Sequence, residues 1–312
     1  MKTGAEDAPR KLDILRHLVA NQAFHKPQKE GSVSGAERDA AVRSLAEVLE
    51  ELGRGGDWEA LSQATSIIDR VLATAPVPSK YLHCLAVAAL GLALKMSEEA
   101  EWVPEAGVLA AVSGGRVSSR EVVRMERAVL DRLGWDLASP PSLHRFLHGL
   151  AGLGGLEGLL AVGGAAAEGR WGLARLVKAV LPHSDLLAAE RLSDLALAIL
   201  SLHLEGAALP HWLAITSALQ RSVGAKAEDV IRCREAISSR LLKRKARRSP
   251  EPAPGKENAT PRSQRKRLRR KTLPSSFPRM KAEAEVHIDD LADSLLSRLF
   301  NPNLLPPPME VC

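Results

Sequence analysis

The chain has 312 residues, 45% of them hydrophobic and only 3% aromatic, which gives room for about two ordinary domains built on Leu, Ala, Val and Ile rather than on rings. Its net charge of +6 is unevenly spread: 13 Lys or Arg stand against Glu251 and Glu257 between Lys243 and Lys271, leaving 30 basic and 35 acidic residues elsewhere. A mildly acidic body argues against nucleic-acid binding by that body, because phosphate contacts need Lys and Arg on the docking face.

The N-terminal MKTGAEDAPRKLD has no apolar h-region, so no secretory signal is expected. Residues 1–34 read as a leading arm. Leu12, Leu15, Leu18 and Val19 recur there at helical spacing before the loop GSVSG. A helix over about 36–52 follows, with Val42, Leu45, Val48, Leu49 and Leu52 on one face, and GRGGD ends it. The next helix covers 58–74, with Ile67, Ile68, Val71 and Leu72 apolar.

The stretch Ser79–Lys95, SKYLHCLAVAALGLALK, organises the first half. From Tyr81 to Leu94 only His83 breaks its apolar character. A helix apolar all round must be covered by other elements, and this one is too short and too closely flanked by charge to span a bilayer comfortably. Charge returns at once in Lys95-Met96-Ser97-Glu98-Glu99. A shorter helix is expected around 103–112, and Ser118, Ser119 and Glu121 mark a capping start for a helix over 119–133. That makes about five helices between 36 and 133, with no strand pattern.

Pro140-Pro141 marks a boundary, after which the pattern restarts. Helices are expected over 142–151, 170–181, 185–204, 210–222 and 226–244, with a Gly-rich loop from Gly152 to Gly169. The stretch 185–204 is mostly apolar and is the candidate centre of a second bundle. Beyond Arg244, Pro, Ser, Lys and Arg dominate, and residues 244–285 read as a disordered basic tail. Within 286–300, Ile288, Leu291, Leu295, Leu296 and Leu299 recur on one face, the pattern of a short amphipathic helix formed on binding. The units are thus 1–34, 35–139, 140–243, 244–285 and 286–300.

The three cysteines, Cys84, Cys233 and Cys312, offer neither a disulfide framework nor metal-ligand spacing, and no metal or cofactor is expected. They suit a reducing compartment. An enzyme is disfavoured. Cys84 lies inside the apolar helix, the histidines are scattered, and there is no Gly-rich phosphate loop or pair of carboxylates with a catalytic role.

Two tandem five-helix units, the first built round an apolar helix ending in Lys-x-x-Glu-Glu, resemble the cyclin family. Arg38 in the first helix, Ile68-Asp69-Arg70 in the second, and Lys95 to Glu99 at the end of the third match that family's pattern. The most specific stretch is Arg124-Met125-Glu126 followed by Leu133-Gly134-Trp135-Asp136-Leu137. PHWLAITSALQ and IRCREAISSRL look most like the cyclin G/I subgroup, cyclin I above all. The resemblance covers roughly residues 10–242 and implies an all-α fold of tandem cyclin boxes.

It further implies a regulatory subunit that binds a cyclin-dependent kinase as a heterodimer, against the kinase αC helix, in cell-cycle or differentiation control. Lys95 and Glu126 would meet the kinase backbone, with Leu92, Met96, Leu130 and Trp135 as the apolar contact around them. Arg38 and Asp69 would form an internal salt bridge. The alternative is a cyclin-fold adaptor for non-kinase partners.

Two basic clusters in the tail, Lys243, Arg244, Lys245, Arg247 and Arg248, then Arg265, Lys266, Arg267, Arg269, Arg270 and Lys271, point to an import receptor and to a protein shared between nucleus and cytoplasm. Lys256-Glu257-Asn258 matches the degron read by the anaphase-promoting ubiquitin ligase. Ser249-Pro250 and Thr260-Pro261 are proline-directed phosphorylation sites beside arginines. No nucleic-acid or membrane partner is expected.

One departure from the family pattern matters. Where many cyclins place a Trp six residues after the first-helix Arg, to wall a groove for Arg-x-Leu peptides, this chain has Ser44, and Ala41 replaces a larger apolar residue. Little apolar surface remains for the peptide's Leu. Arg-x-Leu peptides are therefore expected to bind weakly or not at all in fluorescence polarisation, whereas low-micromolar affinity would contradict the groove's loss.

Overall fold

The computed structural model describes residues 7–22, 33–97, 99–160 and 171–248. Among them every regular element is helical. In chain order these are α1 (Asp7–Ala20), α2 (Gly35–Glu51), α3 (Trp58–Thr74), α4 (Ser79–Ser97), a 3₁₀ turn (Ala100–Trp102), α5 (Ala106–Val112) and α6 (Ser119–Arg132). There follow α7 (Leu143–Gly154), α8 (Glu157–Leu160), α9 (Leu173–Val180), α10 (Ser184–Ala189), α11 (Leu192–Gly206), α12 (Trp212–Val223) and α13 (Ala227–Arg248). No helix among the described residues is long and apolar enough to cross a membrane.

The first bundle forms round α4. Leu82 and every residue from Cys84 to Leu94 are buried, and α2, α3, α5 and α6 all pack against it. Its neighbours begin with strong local signals. Ser34 and Glu37 form a reciprocal capping box at α2, as do Ser118 and Glu121 at α6, and Asp57 caps α3. Such pairs satisfy amide groups that a helix start leaves unbonded. The expected 103–112 helix is the shorter α5, starting at Ala106, and a separate 3₁₀ turn precedes it.

The second bundle repeats the plan round α11, buried from Leu192 to Leu204 and flanked by α7, α9, α12 and α13. Here three expectations are corrected. The helix anticipated over 185–204 is two, because Glu190 turns extended (φ −119°, ψ 151°) and ends α10. The freed Glu190 carboxylate takes a bidentate pair from Arg232 of α13, both contacts at 2.8 Å. Part of the anticipated Gly-rich loop is helical, as the end of α7 and as α8, and α13 runs on to Arg248 rather than stopping at 244. Residues 249–312, which include Ser249, Thr260, the Lys256-Glu257-Asn258 sequence, the second basic cluster and the 286–300 segment, lie outside the described residues.

The arm helix packs on the second bundle, against α7 and α12. Leu15 is fully buried there, and a Cβ placed on Gly149 would lie 3.1 Å from its Cδ1. The core is continuous across both halves.

Arg38 holds α2, α3 and the second bundle at one point. It is 1% exposed, its Nε and Nη2 donate to the Asp69 carboxylate at 2.7 and 2.6 Å, and its Nη1 donates to the Leu181 carbonyl at 2.5 Å and to Asp39 at 3.1 Å. Asp39 in turn accepts from the Ser184 amide at 3.0 Å. A buried guanidinium with this many acceptors specifies one packing arrangement.

The connector between bundles is fastened to α3. Gln63 donates to the Leu137 carbonyl at 2.5 Å and accepts from Ser142 Oγ at 3.0 Å. Arg70 donates to the Asp136 carbonyl at 2.7 Å, and Ser62 Oγ accepts the His144 amide at 3.0 Å. The Ser139–Pro140 peptide within the connector is cis. With its hydroxyl given to Gln63, Ser142 Oγ, 2.8 Å from His144 Nδ1, accepts the ring proton there. Burial holds His144 far below its ordinary value of 6.5, at about 4, against the opposing charge of Glu59 and helped by His148 and Arg145.

The unfolded chain protonates His144 near its ordinary value and the folded chain only near 4. This contribution is therefore complete above the ordinary value and is lost as pH falls toward 4, by up to about 3 kcal/mol. Urea unfolding in that window should show the stability falling with pH, and His144→Gln should flatten the slope.

Candidate functional site

The site lies where the C-terminal end of α4 meets α6. Lys95 is the basic residue in the last turn of α4, where a cation favours the negative end of the helix dipole. Its Nζ lies 2.6 Å from Glu126 Oε2 of α6. The two partners differ in exposure: the Lys95 side chain is 47% exposed, while Glu126 as a residue is 7% exposed. Glu126 belongs to the buried side of α6 with Val122 and Val129.

Gly91 makes that burial possible. A Cβ on Gly91 would stand 2.6 Å from Glu126 Oε1 and 3.1 Å from Leu109 Cδ1. A carboxylate oxygen thus occupies the space a side chain of α4 would otherwise fill. Among the described residues Oε1 has no hydrogen-bond partner, although buried carboxylates are normally satisfied. The pair's unused capacity toward solvent is on the ammonium, which is half-exposed and keeps further N–H donors, whereas Oε1 is enclosed beside Gly91 and Leu109.

The exit of α6 carries the aromatic. Gly134 is left-handed (φ 63°) and the Trp135 amide donates to the Leu130 carbonyl at 2.9 Å, the geometry of a Schellman ending. Trp135 is itself left-handed (φ 62°), 61% exposed, and lies under the Arg127 guanidinium at 5.4 Å. Asp136 then caps the connector by accepting from the Ala138 and Ser139 amides, both at 2.9 Å. Those bonds hold its carboxyl below the usual range.

Of the apolar residues expected around the pair, Met96 and Trp135 are exposed and Leu130 is half-buried against the core. Leu92 is different. It is 5% exposed and belongs to the core, because its position on α4 faces the helices that cover it. It supports the surface from beneath rather than presenting a contact. Met96 Sδ lies 3.8 Å from Gln63 Nε2 beside a cleft of about 220 Å³, lined by Glu59, Gln63, Ser97, His144 and Arg145. The groove residues Ala41 and Ser44 are half-buried.

Arg38 and Asp69 sit apart from this surface, in the joint between bundles described above. The first basic cluster lies within α13, and only its backbone is described. Sequence reasoning missed Gln63, the bond from Arg70 to the connector and the Asp39–Ser184 link. A Gly in an apolar helix was legible as a site of close approach, but nothing local names Glu126 as its neighbour. Asp39 also stands near His183 and Asp185, with ligand atoms within 4.8 Å of one another. Asp39 and Asp185 are already engaged by Arg38 at 3.1 Å and Arg240 at 2.8 Å.

Residues 12–138 match the family described as Cyclin, N-terminal domain. The whole helical body has the fold of a solved viral cyclin from herpesvirus saimiri, with a TM-score of 0.58 at 16% identity over 74% of this chain and 96% of that one. Among curated proteins, the chain is similar to human Cyclin-I2, with 43% identity over 24% of this chain. It is also similar to mouse Cyclin-G1, at 34% over 31%, and mouse Cyclin-G2, at 29% over 39%. These matches span 20%, 33% and 35% of the relatives' own lengths.

Gly91→Ala tests the close approach. Alanine is the better helix former by about 1 kcal/mol, yet its methyl displaces the Glu126 carboxylate. In urea unfolding the substitution should be less favourable, by about 1 kcal/mol, with Glu126 present than in a Glu126→Ala background.

Proposed function

We propose that this chain is the regulatory subunit of a cyclin-dependent kinase, docking against the kinase αC helix and biasing it toward the arrangement in which its Glu pairs with the ATP-positioning Lys. The observation that carries this reading is the Lys95–Glu126 pair, close at 2.6 Å with the Lys95 side chain 47% exposed at the end of α4. A partner's backbone carbonyl would accept a remaining ammonium proton of Lys95, which Glu126 holds in place from beneath. Met96 and Trp135, exposed around the pair, supply the apolar contact that excludes water.

The subunit acts through the equilibrium of its partner and performs no chemistry itself. The basic clusters of the tail give it access to the nucleus as well as the cytoplasm, and Lys256-Glu257-Asn258 gives it a route to destruction.

The test is a charge swap, Lys95→Glu with Glu126→Lys. It keeps an ion pair between α4 and α6 but reverses what each side offers a partner. Purified catalytic subunits of cyclin-dependent kinases should include at least one that binds the wild type and not the swap. Kinase binding unchanged by the swap, or no kinase bound by either while other partners are retained, would favour the adaptor instead.

A further inference from the structure

The outward face of α6 carries more positive charge than the helix can neutralise. Arg120, Arg124 and Arg127 follow at i, i+4 and i+7, which places them in one stripe, and all are exposed. The helix has three acids, and none of them pairs with Arg120 or Arg124. Glu121 accepts from the Ser118 amide and hydroxyl at 2.8 and 2.7 Å. Glu126 is turned inward onto Lys95. Asp131 is taken by Arg127, at 3.0 Å. Arg120 and Arg124 have no carboxylate partner within salt-bridge distance among the described residues, although Arg124 is near enough to help lower the Glu121 carboxyl.

The stripe borders apolar surface. Val123 is exposed between the arginines and the side of the helix that carries Glu126, and Trp135 lies beneath Arg127. Exposed Arg beside an exposed indole is the composition of an interface centre. The rest of the chain outside the tail is net acidic, so this face is a local reversal of sign. A nucleic acid fits it poorly. From Arg120 to Arg127 the helix rises only about 10 Å, and Val123, Trp135 and Asp131 interrupt the charge.

We propose that the kinase surface docking here is acidic, placing carboxylates opposite Arg120 and Arg124 and an apolar side chain over Val123 and Trp135. This rests on the kinase reading and adds what selects among kinases. Complementary charge raises the rate of encounter and rejects partners of the wrong sign. The Lys95–Glu126 pair meets backbone, which every kinase offers, whereas the arginine stripe reads side chains, which differ between kinases.

The experiment titrates the labelled full chain with a purified catalytic subunit that binds the wild type. Raising salt from about 50 to about 300 mM should weaken wild-type binding at least about tenfold. Arg120→Glu with Arg124→Glu should weaken it to a similar degree at low salt and flatten the salt dependence, with Arg120→Gln and Arg124→Gln intermediate. These side chains are exposed, and circular dichroism melting confirms that the variants fold. If both pairs of variants bind like wild type with the same salt dependence, while the Lys95/Glu126 swap still abolishes binding, the acidic-partner inference is overturned and the kinase reading stands. If the swap binds normally, the kinase reading fails first. Salt-sensitive binding of a double-stranded oligonucleotide that the Arg variants lose would also overturn the inference, in favour of nucleic acid.

Discussion

A helix without a polar side has to be surrounded, and the first half of this protein follows from that requirement. α4 is buried from Cys84 to Leu94, and four other helices are disposed round it. Enclosure leaves such a helix only its ends to show to solvent. At the C-terminal end the first charge to emerge is Lys95, and the neighbour that answers it, Glu126, is held down by a missing side chain at Gly91. The candidate docking surface is thus a by-product of how the core is closed. The apolar interior dictates where the charge must appear, and close packing of α6 on α4 dictates what stands beside it.

The same plan is used twice, with different solutions at the joint. α11 is the second enclosed helix, and the two bundles share one continuous core. Between them polar groups specify the register. Arg38 reaches from α2 to the Leu181 carbonyl, and Ser62, Gln63 and Arg70 of α3 take hold of the connector. Apolar surfaces can slide over one another at modest cost, whereas a buried guanidinium or amide tolerates one set of partners. The relative placement of the bundles, and with it the position of Met96 beside the cleft, depends on these few side chains.

Much of the fold was legible along the chain. The bounds of α3, the capping pairs at Ser118 and Glu121, and the enclosed character of α4 all follow from signals a few residues long. The candidate surface was legible only through a resemblance. Glu121 was legible as the cap of its own helix start, but nothing in the spacing shows that Glu126, five residues further on, is buried against Gly91. Leu92 and Met96 are both apolar and one turn apart on α4, yet one supports the core and the other faces solvent. The break at Glu190 was invisible for the same reason. LLAAERLSD contains no Gly or Pro, and the bend is maintained by Arg232, forty-two residues away.

By itself the sequence determined that the protein is helical, that two apolar helices must lie at its centres, and that its positive charge collects in the tail. Those are properties of composition and of period, and both act locally. Only the tertiary structure decided which polar groups meet: Lys95 with Glu126, Arg38 with the Leu181 carbonyl as well as Asp69, and Arg127 with Asp131, leaving Arg120 and Arg124 of α6 without an acid among the described residues. The physical reason is that an ionic contact extends over a few ångströms of space regardless of the intervening length of chain, so its partner is chosen by packing and cannot be read from spacing.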